Sequence, residues 1–240
     1  MYVHPSRANR TTADTLKSTQ KTSEPRESNN RTYAIGLGFG VLIFIPALYI
    51  AHKHQLSGVQ ARLFYDLNNM PNSYKTVALW LTEGLGAGYI IAACVFIPIL
   101  FKRFRLAWRY LVTAGGAGIA MEIGKHIAKE PRPDVLLQGH LHERAVELGL
   151  TSFPSGHETI ATALAITTWL ILPKRWRWIC IAWIVIVGVS RIYLGDHTPN
   201  DVVGGFAIGL ISVCFLQILP ESIAHRFYIY KGQELLQKGR

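Results

Sequence analysis

The chain has 240 residues, half of them hydrophobic, with 25 Lys and Arg against 15 Asp and Glu for a formal net charge of +10. That length suits one domain, and Cys94, Cys180 and Cys214 all fall inside apolar stretches, so they read as packing residues and not as a disulfide framework or a thiolate metal site. The apolar residues gather in long runs, and so many such runs in a short soluble chain would leave too little polar surface to cover them.

In chain order the first segment is polar and basic, "MYVHPSRANRTTADTLKSTQKTSEPRESNNR", and reads as a disordered tail over 1–31. It lacks the apolar core of a signal peptide. Six apolar spans follow, at 33–52, 77–100, 107–128, 156–173, 177–194 and 202–220, each near the roughly 20 residues that cross a bilayer. The expectation is an all-α polytopic membrane protein, with six transmembrane helices bundled over 32–222 and a short tail over 223–240. Frequent Gly and Ala in the second and third spans let membrane helices approach closely.

"KRFR" from Lys102, "KRWR" from Lys174 and the C-terminal "HRFYIYKGQELLQKGR" all fall on one side of six such spans. The positive-inside rule makes that side the cytoplasm and places both termini there. Topology and attraction to anionic headgroups account for the net charge, so no nucleic-acid partner is needed. Aromatic residues interleaved in "RFRLAWRY" and "KRWRWICIAW" read as interfacial anchors.

The opposite side carries the chemically unusual residues. Lys125 closes the third span and Arg132 lies just past it, where Pro131 and Pro133 forbid regular helix. Snorkelling explains either cation alone, but positive charge on this side opposes the topology trend and points to an anionic ligand. The fourth span opens with "TSFPSGHETIATALAITTWL", where Ser155 and Gly156 let helix-start N–H groups face an anion and His157 stands beside them as a proton donor. A capping serine and a satisfied histidine are the plainer alternatives. The fifth span leaves through "SRIYLGDHTPNDVVGG", with Arg191 charged inside an apolar run and His197 near the boundary. Asp201, four residues on, is placed to orient that imidazole as in an activated nucleophile; a helix cap is its competing reading, and a turn role is that of Asp196 and Asn200.

The loop "DVLLQGHLHERAVELGLTSF" carries His140, His142, Glu143, Arg144 and Glu147 and could close over a headgroup. Its two histidines, with neither thiolate nor fixed carboxylate, read as solvated residues and not as a zinc site. Glu83 and Glu122 are intramembrane carboxylates, and Glu122, one turn before Lys125, reads as the partner in a structural ion pair.

Three cations, helix-end donors and two histidines suit phosphoryl transfer, whose developing charge needs preorganised donors. "KHIAKEPRP", "PSGH" and "SRIYLGDHTPND" are similar, in order and internal spacing, to the three signature motifs of the type 2 phosphatidic acid phosphatase (PAP2) superfamily, which also includes vanadium-dependent haloperoxidases and bacterial acid phosphatases. The resemblance runs from the second apolar segment to the sixth. It implies a PAP2/haloperoxidase-like helical core of the integral-membrane branch, with its active site at the extracytoplasmic membrane boundary. It further implies that His197 attacks phosphorus to form a phosphohistidine, that Asp201 orients it, and that His157 protonates the leaving group and later assists water. Lys125, Arg132, Arg191, Ser155 and the Gly156 N–H would hold the nonbridging oxygens, with Pro133 and Pro154 as shaping residues. No metal or other cofactor is implied.

The expected substrate is a lipid phosphate: a polyprenyl pyrophosphate, phosphatidylglycerophosphate, phosphatidic acid or a phosphorylated glycolipid. The expected setting is a bacterial inner membrane. A lipid phosphotransferase using the same intermediate, and a non-catalytic lipid-binding or transport protein, are the other classes open at this point.

Overall fold

A computed structural model of the protein describes residues 8–56, 58–138, 140–145 and 149–219, with side chains from residue 30 onward. Among the described residues the architecture is all-α: α1 (Ala8–His52), α2 (Gly58–Asn68), α3 (Lys75–Gly86), α4 (Gly88–Leu100), α5 (Phe104–Ala128), α6 (Pro133–Leu136), α7 (Gly156–Trp169), α8 (Trp178–Leu194) and α9 (Pro199–Ile218). Three helical stretches are long and apolar enough to cross a bilayer, Asn30–His52, Lys174–Leu194 and Pro199–Ile218, or four if α3 and α4 form one broken span.

This differs from six regular spans in three ways. The segment over 77–100 is two helices that meet at 47°, because Ala87 adopts an extended backbone between them. The fourth segment forms only a 14-residue helix, α7, whose length of roughly 21 Å falls short of a bilayer's hydrocarbon core. It is clad by protein, lying against α3, α5, α8 and α9. α5 is long enough at 25 residues, but Arg109, Glu122 and its Gly/Ala-rich middle keep it outside the apolar class. At the N-terminus, α1 is helical from Ala8, where the sequence reading has a disordered tail over 1–31; residues 8–31 lack glycine and carry one proline, Pro25. The segment over 223–240 lies outside the described residues.

The bundle is inverted relative to a soluble protein. Its exterior is apolar, with Trp80 77%, Leu42 69% and Leu100 79% exposed, while Thr159, Thr162, Thr167, Glu158 and Arg191 are buried. Apolar surface of this kind is solvated by lipid, and the polar side chains turn inward, away from it. α9 packs along α1 and α7. The approach to α7 depends on the missing side chain of Gly205, where a Cβ would stand 2.7 Å from the Ser155 carbonyl oxygen. α5 and α8 end, and α7 and α9 begin, at one end of the bundle, while the basic turns at Lys102–Arg105 and Lys174–Arg177 lie at the other.

Candidate active site

α8 is stopped by Gly195 in the left-handed region, at φ 83°, which an L side chain seldom adopts. Asp196 and His197 follow, and Thr198 starts α9 through a capping box with Asp201, with Pro199 in the first turn. The Thr198 N–H donates to Asp201 Oδ2 at 2.7 Å, and the Asp201 N–H donates to Thr198 Oγ1 at 3.2 Å. The same Asp201 Oδ2 lies 3.5 Å from His197 Nδ1, with both side chains fully buried. Cap and imidazole partner are therefore one carboxylate.

Ser152 completes this arrangement. Its Oγ–H donates to Asp201 Oδ2 at 2.5 Å, and its Oγ lies 3.2 Å from His197 Nδ1. Because the one hydroxyl proton goes to Asp201, the serine oxygen accepts from Nδ1–H, which puts the lone pair of the neutral ring on Nε2. Ser152 is held by its own N–H, which donates to the Glu130 carbonyl at 2.8 Å beside a bridge between Pro131 and Thr151. Glu130 is itself 3% exposed. Burial first, then the charge of Asp201 and a hydrogen bond to it, push the Glu130 carboxyl up to about 10.

The start of α7 is tied to the same carboxylate segment, since the Ser155 N–H donates to the Asp201 carbonyl at 3.0 Å. Ser155 is the N-terminal cap but makes no side-chain cap bond, and its buried Oγ has no partner among the described residues. A fixed, unspent hydroxyl beside the first N–H groups of a helix is suited to an anion. α5 backs this turn: Gly124 abuts Pro154, and a Cβ on Gly156 would stand 2.9 Å from Met121 Sδ. Lys125 is half-buried in the last turn of α5 and makes no hydrogen bond or ion pair with the described residues.

The two arginines converge on Asp196. Buried Arg191 places Nη2 3.2 Å from Asp196 Oδ2 and Nη1 3.5 Å from Thr82 Oγ1. Arg132 donates from Nε to the Gly149 carbonyl at 2.5 Å and from Nη1 to the Asp196 carbonyl at 3.5 Å. His157 Nε2 lies 3.5 Å from Glu83 Oε1, with the imidazole 18% and the carboxylate 49% exposed.

Two sequence expectations are corrected. Glu122 does not pair with Lys125: it is exposed, and its backbone carbonyl meets His126 Nδ1 at 2.8 Å. Arg144, carried by the loop read as able to close over a headgroup, is a buried staple, donating to Asn72 Oδ1 and to the carbonyls of Asn68, Met70 and Tyr193 at 2.7–2.9 Å. Asn68 secures the neighbouring strand of loop through the N–H and carbonyl of His142. His140, His142 and Glu143 are exposed, and Glu147 lies outside the described residues.

Ser152, Glu130, Asp196 and Thr82 join the cluster without having been singled out as functional from sequence. Ser152 and Glu130 sit inside or beside quoted motifs, but their spacing relates them to no catalytic residue along one helix. Loop pairing in three dimensions is what brings them to Asp201.

Residues 106–222 match the profile of the PAP2 superfamily. An undecaprenyl-diphosphatase of Sulfolobus acidocaldarius is 30% identical over 189 residues, covering 76% of this chain and 89% of that one. A putative undecaprenyl-diphosphatase of Escherichia coli is 32% identical over 185 residues, covering 72% and 88%. The crystal structure of a transmembrane PAP2-type phosphatidylglycerolphosphate phosphatase from Bacillus subtilis superposes with a TM-score of 0.59 at 24% identity, covering 78% of this chain and 96% of that one, and so shares its fold. With its apolar exterior, its helical core and relatives matched over nearly nine tenths of their own length, the chain belongs to the PAP2 superfamily and is an integral-membrane lipid phosphatase.

Proposed function

We propose that the protein removes the terminal phosphate of a polyprenyl diphosphate by metal-independent phosphoryl transfer through His197. The observation that carries this reading is the Asp201–Ser152–His197 chain, which fixes Nδ1 as the protonated nitrogen and leaves Nε2 as the attacking one. In the first half-reaction Nε2 bonds to the terminal phosphorus as the P–O bond to the lipid monophosphate breaks, and His157 supplies the proton to that leaving oxygen. In the second, water attacks the phosphohistidine, loses a proton to His157 and releases phosphate. Lys125, Arg132, Arg191, Ser155 Oγ and the Gly156 N–H hold the nonbridging oxygens, supplying the charge that a metal ion supplies elsewhere. Glu83 sets the facing of the His157 ring.

The names of the relatives support a polyprenyl diphosphate over phosphatidylglycerophosphate, phosphatidic acid or a phosphorylated glycolipid. In this reading the bundle over 32–222 crosses a bacterial cytoplasmic membrane six times, with α3 and α4 as one broken span. The basic turns and both terminal segments, 1–31 and 223–240, lie in the cytoplasm, and the site faces outward, as the basic-residue asymmetry supports.

The test is phosphate release by detergent-purified protein in EDTA from undecaprenyl diphosphate and the three competing lipids, alongside His197→Ala and His157→Ala. Undecaprenyl diphosphate is expected to turn over fastest, with a loss of about a thousandfold or more in His197→Ala. Wild-type turnover in that variant, or turnover that requires an added metal, overturns the mechanism. Phosphate appearing on an acceptor lipid instead of in solution would make the protein a transferase.

A further inference from the structure

Resting on the assignment of His197 and Asp201 above, we infer that Glu130 carries a proton in the working protein and donates it to Asp201, making Glu130 a positioning residue for the nucleophile. The two carboxyl groups are both buried, and Ser152 ties their residues together, its N–H donating to the Glu130 carbonyl at 2.8 Å and its Oγ–H to Asp201 Oδ2 at 2.5 Å. Each leaves one oxygen without a donor: Oε2 of Glu130 and Oδ1 of Asp201. Two bare carboxylates buried beside each other repel, and a single shared proton removes both the repulsion and the two orphaned acceptors.

The proton belongs on Glu130 because the other donors are already committed to Asp201. Ser152 Oγ–H and the Thr198 N–H both point at Asp201 Oδ2, and His197 Nδ1 lies 3.5 Å from it. Those groups favour the ionised form there. Glu130 has no such donors, and its burial favours the neutral form. The titratable groups facing Glu130 are thus Asp201 and, beyond it, His197. Its sequence neighbours do not compensate it: Lys129 is exposed, and Arg132 is engaged with Gly149 and Asp196. From α1 the adjoining cluster receives Ala47 and Ala51, which pack with Ala128 and Phe153, with Phe44 and Leu48 against them, and none of these side chains is titratable.

The consequence for chemistry is orientation together with charge. With Glu130 neutral, Asp201 is held from both oxygens, and its Oδ2 stays directed at Ser152 and His197. With Glu130 ionised, the donor to Asp201 is lost and a second negative charge repels it, so Oδ2 is no longer held in place for Ser152 and His197.

The test compares wild type, Glu130→Gln and Glu130→Ala as full-length protein in detergent, using phosphate release from undecaprenyl diphosphate between neutral and strongly alkaline pH, with His197→Ala alongside. The glutamine amide keeps a donor toward Asp201 and cannot ionise, so Glu130→Gln should match wild type at neutral pH and outlast it as pH approaches Glu130's value of about 10. Glu130→Ala loses the donor, and its kcat should fall roughly tenfold or more with KM little changed. Melting temperature gives a second readout. Folded Glu130 keeps a proton that the unfolded chain releases above its ordinary value of 4.5, so its contribution to stability is full below that pH and is lost as pH rises toward about 10. Wild type should therefore lose melting temperature with rising pH more steeply than Glu130→Gln.

Wild-type kcat in folded Glu130→Ala, or rate and melting profiles of Glu130→Gln that superimpose on wild type, overturns the inference. Equal loss of kcat in both variants with no difference in pH dependence would make Glu130 merely structural and overturns it equally. Activity surviving in His197→Ala instead sinks the nucleophile assignment, whatever Glu130 does.

Discussion

Ser152 shows how a single hydroxyl fixes the direction of a reaction. Its proton goes to Asp201 and its oxygen meets His197 Nδ1, so the imidazole is fixed in tautomer as well as in position. Ser152→Ala is expected to lower kcat about tenfold, the worth of a hydrogen bond to a charged group, while leaving KM nearly unchanged. Steady-state phosphate release checks this, and a wild-type kcat would assign the orientation to Asp201 alone. Asp196 has a parallel part on the side proposed to hold phosphate. A turn position by sequence, it meets Arg191 with its carboxylate and Arg132 with its carbonyl, so the two cations are already gathered before an anion arrives. Preorganisation of this kind is where electrostatic catalysis gets most of its effect.

Among the elements, the break between α3 and α4 bears most directly on the chemistry. Gly86, the last residue of α3, lies against His157, the proposed acid/base: a Cβ there would stand 3.0 Å from His157 Cβ and 3.1 Å from Val187 Cγ1. The bent segment is thus a wall of the site, with Glu83 and Thr82 supplied by the same turn of α3 to His157 and Arg191. Gly86→Val should displace the His157 ring, costing about tenfold or more in kcat/KM from overpacking of 1–3 kcal/mol, while the bundle still folds. Turnover measured beside a melting curve checks it, and unchanged kcat/KM would mean the wall yields. α7 works by contact with its neighbours. Its first N–H groups are docked onto α9 through Ser155 and the Asp201 carbonyl, which couples the PSGH turn to the His197 turn.

For the whole molecule, the alternation of helix direction separates a reactive end from a basic end, and all the motif residues fall at the first. α1 reaches that end as well, where Asn200 Nδ2 donates to the Ala47 carbonyl at 2.9 Å. The helix over Asn30–His52 is thereby part of the site's scaffold, whereas the residues before Asn30 contribute no motif residue. Deleting residues 1–29 should leave kcat within about twofold of wild type, as is usual for substitutions and truncations away from packed contacts, while altering abundance in the membrane. Turnover per molecule of purified, inserted protein is the relevant measure, and a large loss would give the N-terminal segment a part in the fold of the site.

By itself the sequence determined the class of the fold and named the residues proposed to react. Long apolar runs can be solvated only by lipid, and "KHIAKEPRP", "PSGH" and "SRIYLGDHTPND" place cations, helix-start donors and histidines at fixed local spacings. His197 and Asp201 were legible as a pair because four residues across a helix start bring them to one side. Tertiary structure decided what local spacing does not encode: that the 77–100 segment breaks at Ala87, that α7 is a clad core helix, that Arg144 staples a loop, and that Ser152, Glu130 and Asp196 join the site. Each of those depends on contacts between residues far apart in the chain. Apolar periodicity reports burial but not its partner, and a buried polar group acquires its role only from the donors and charges that the fold sets around it.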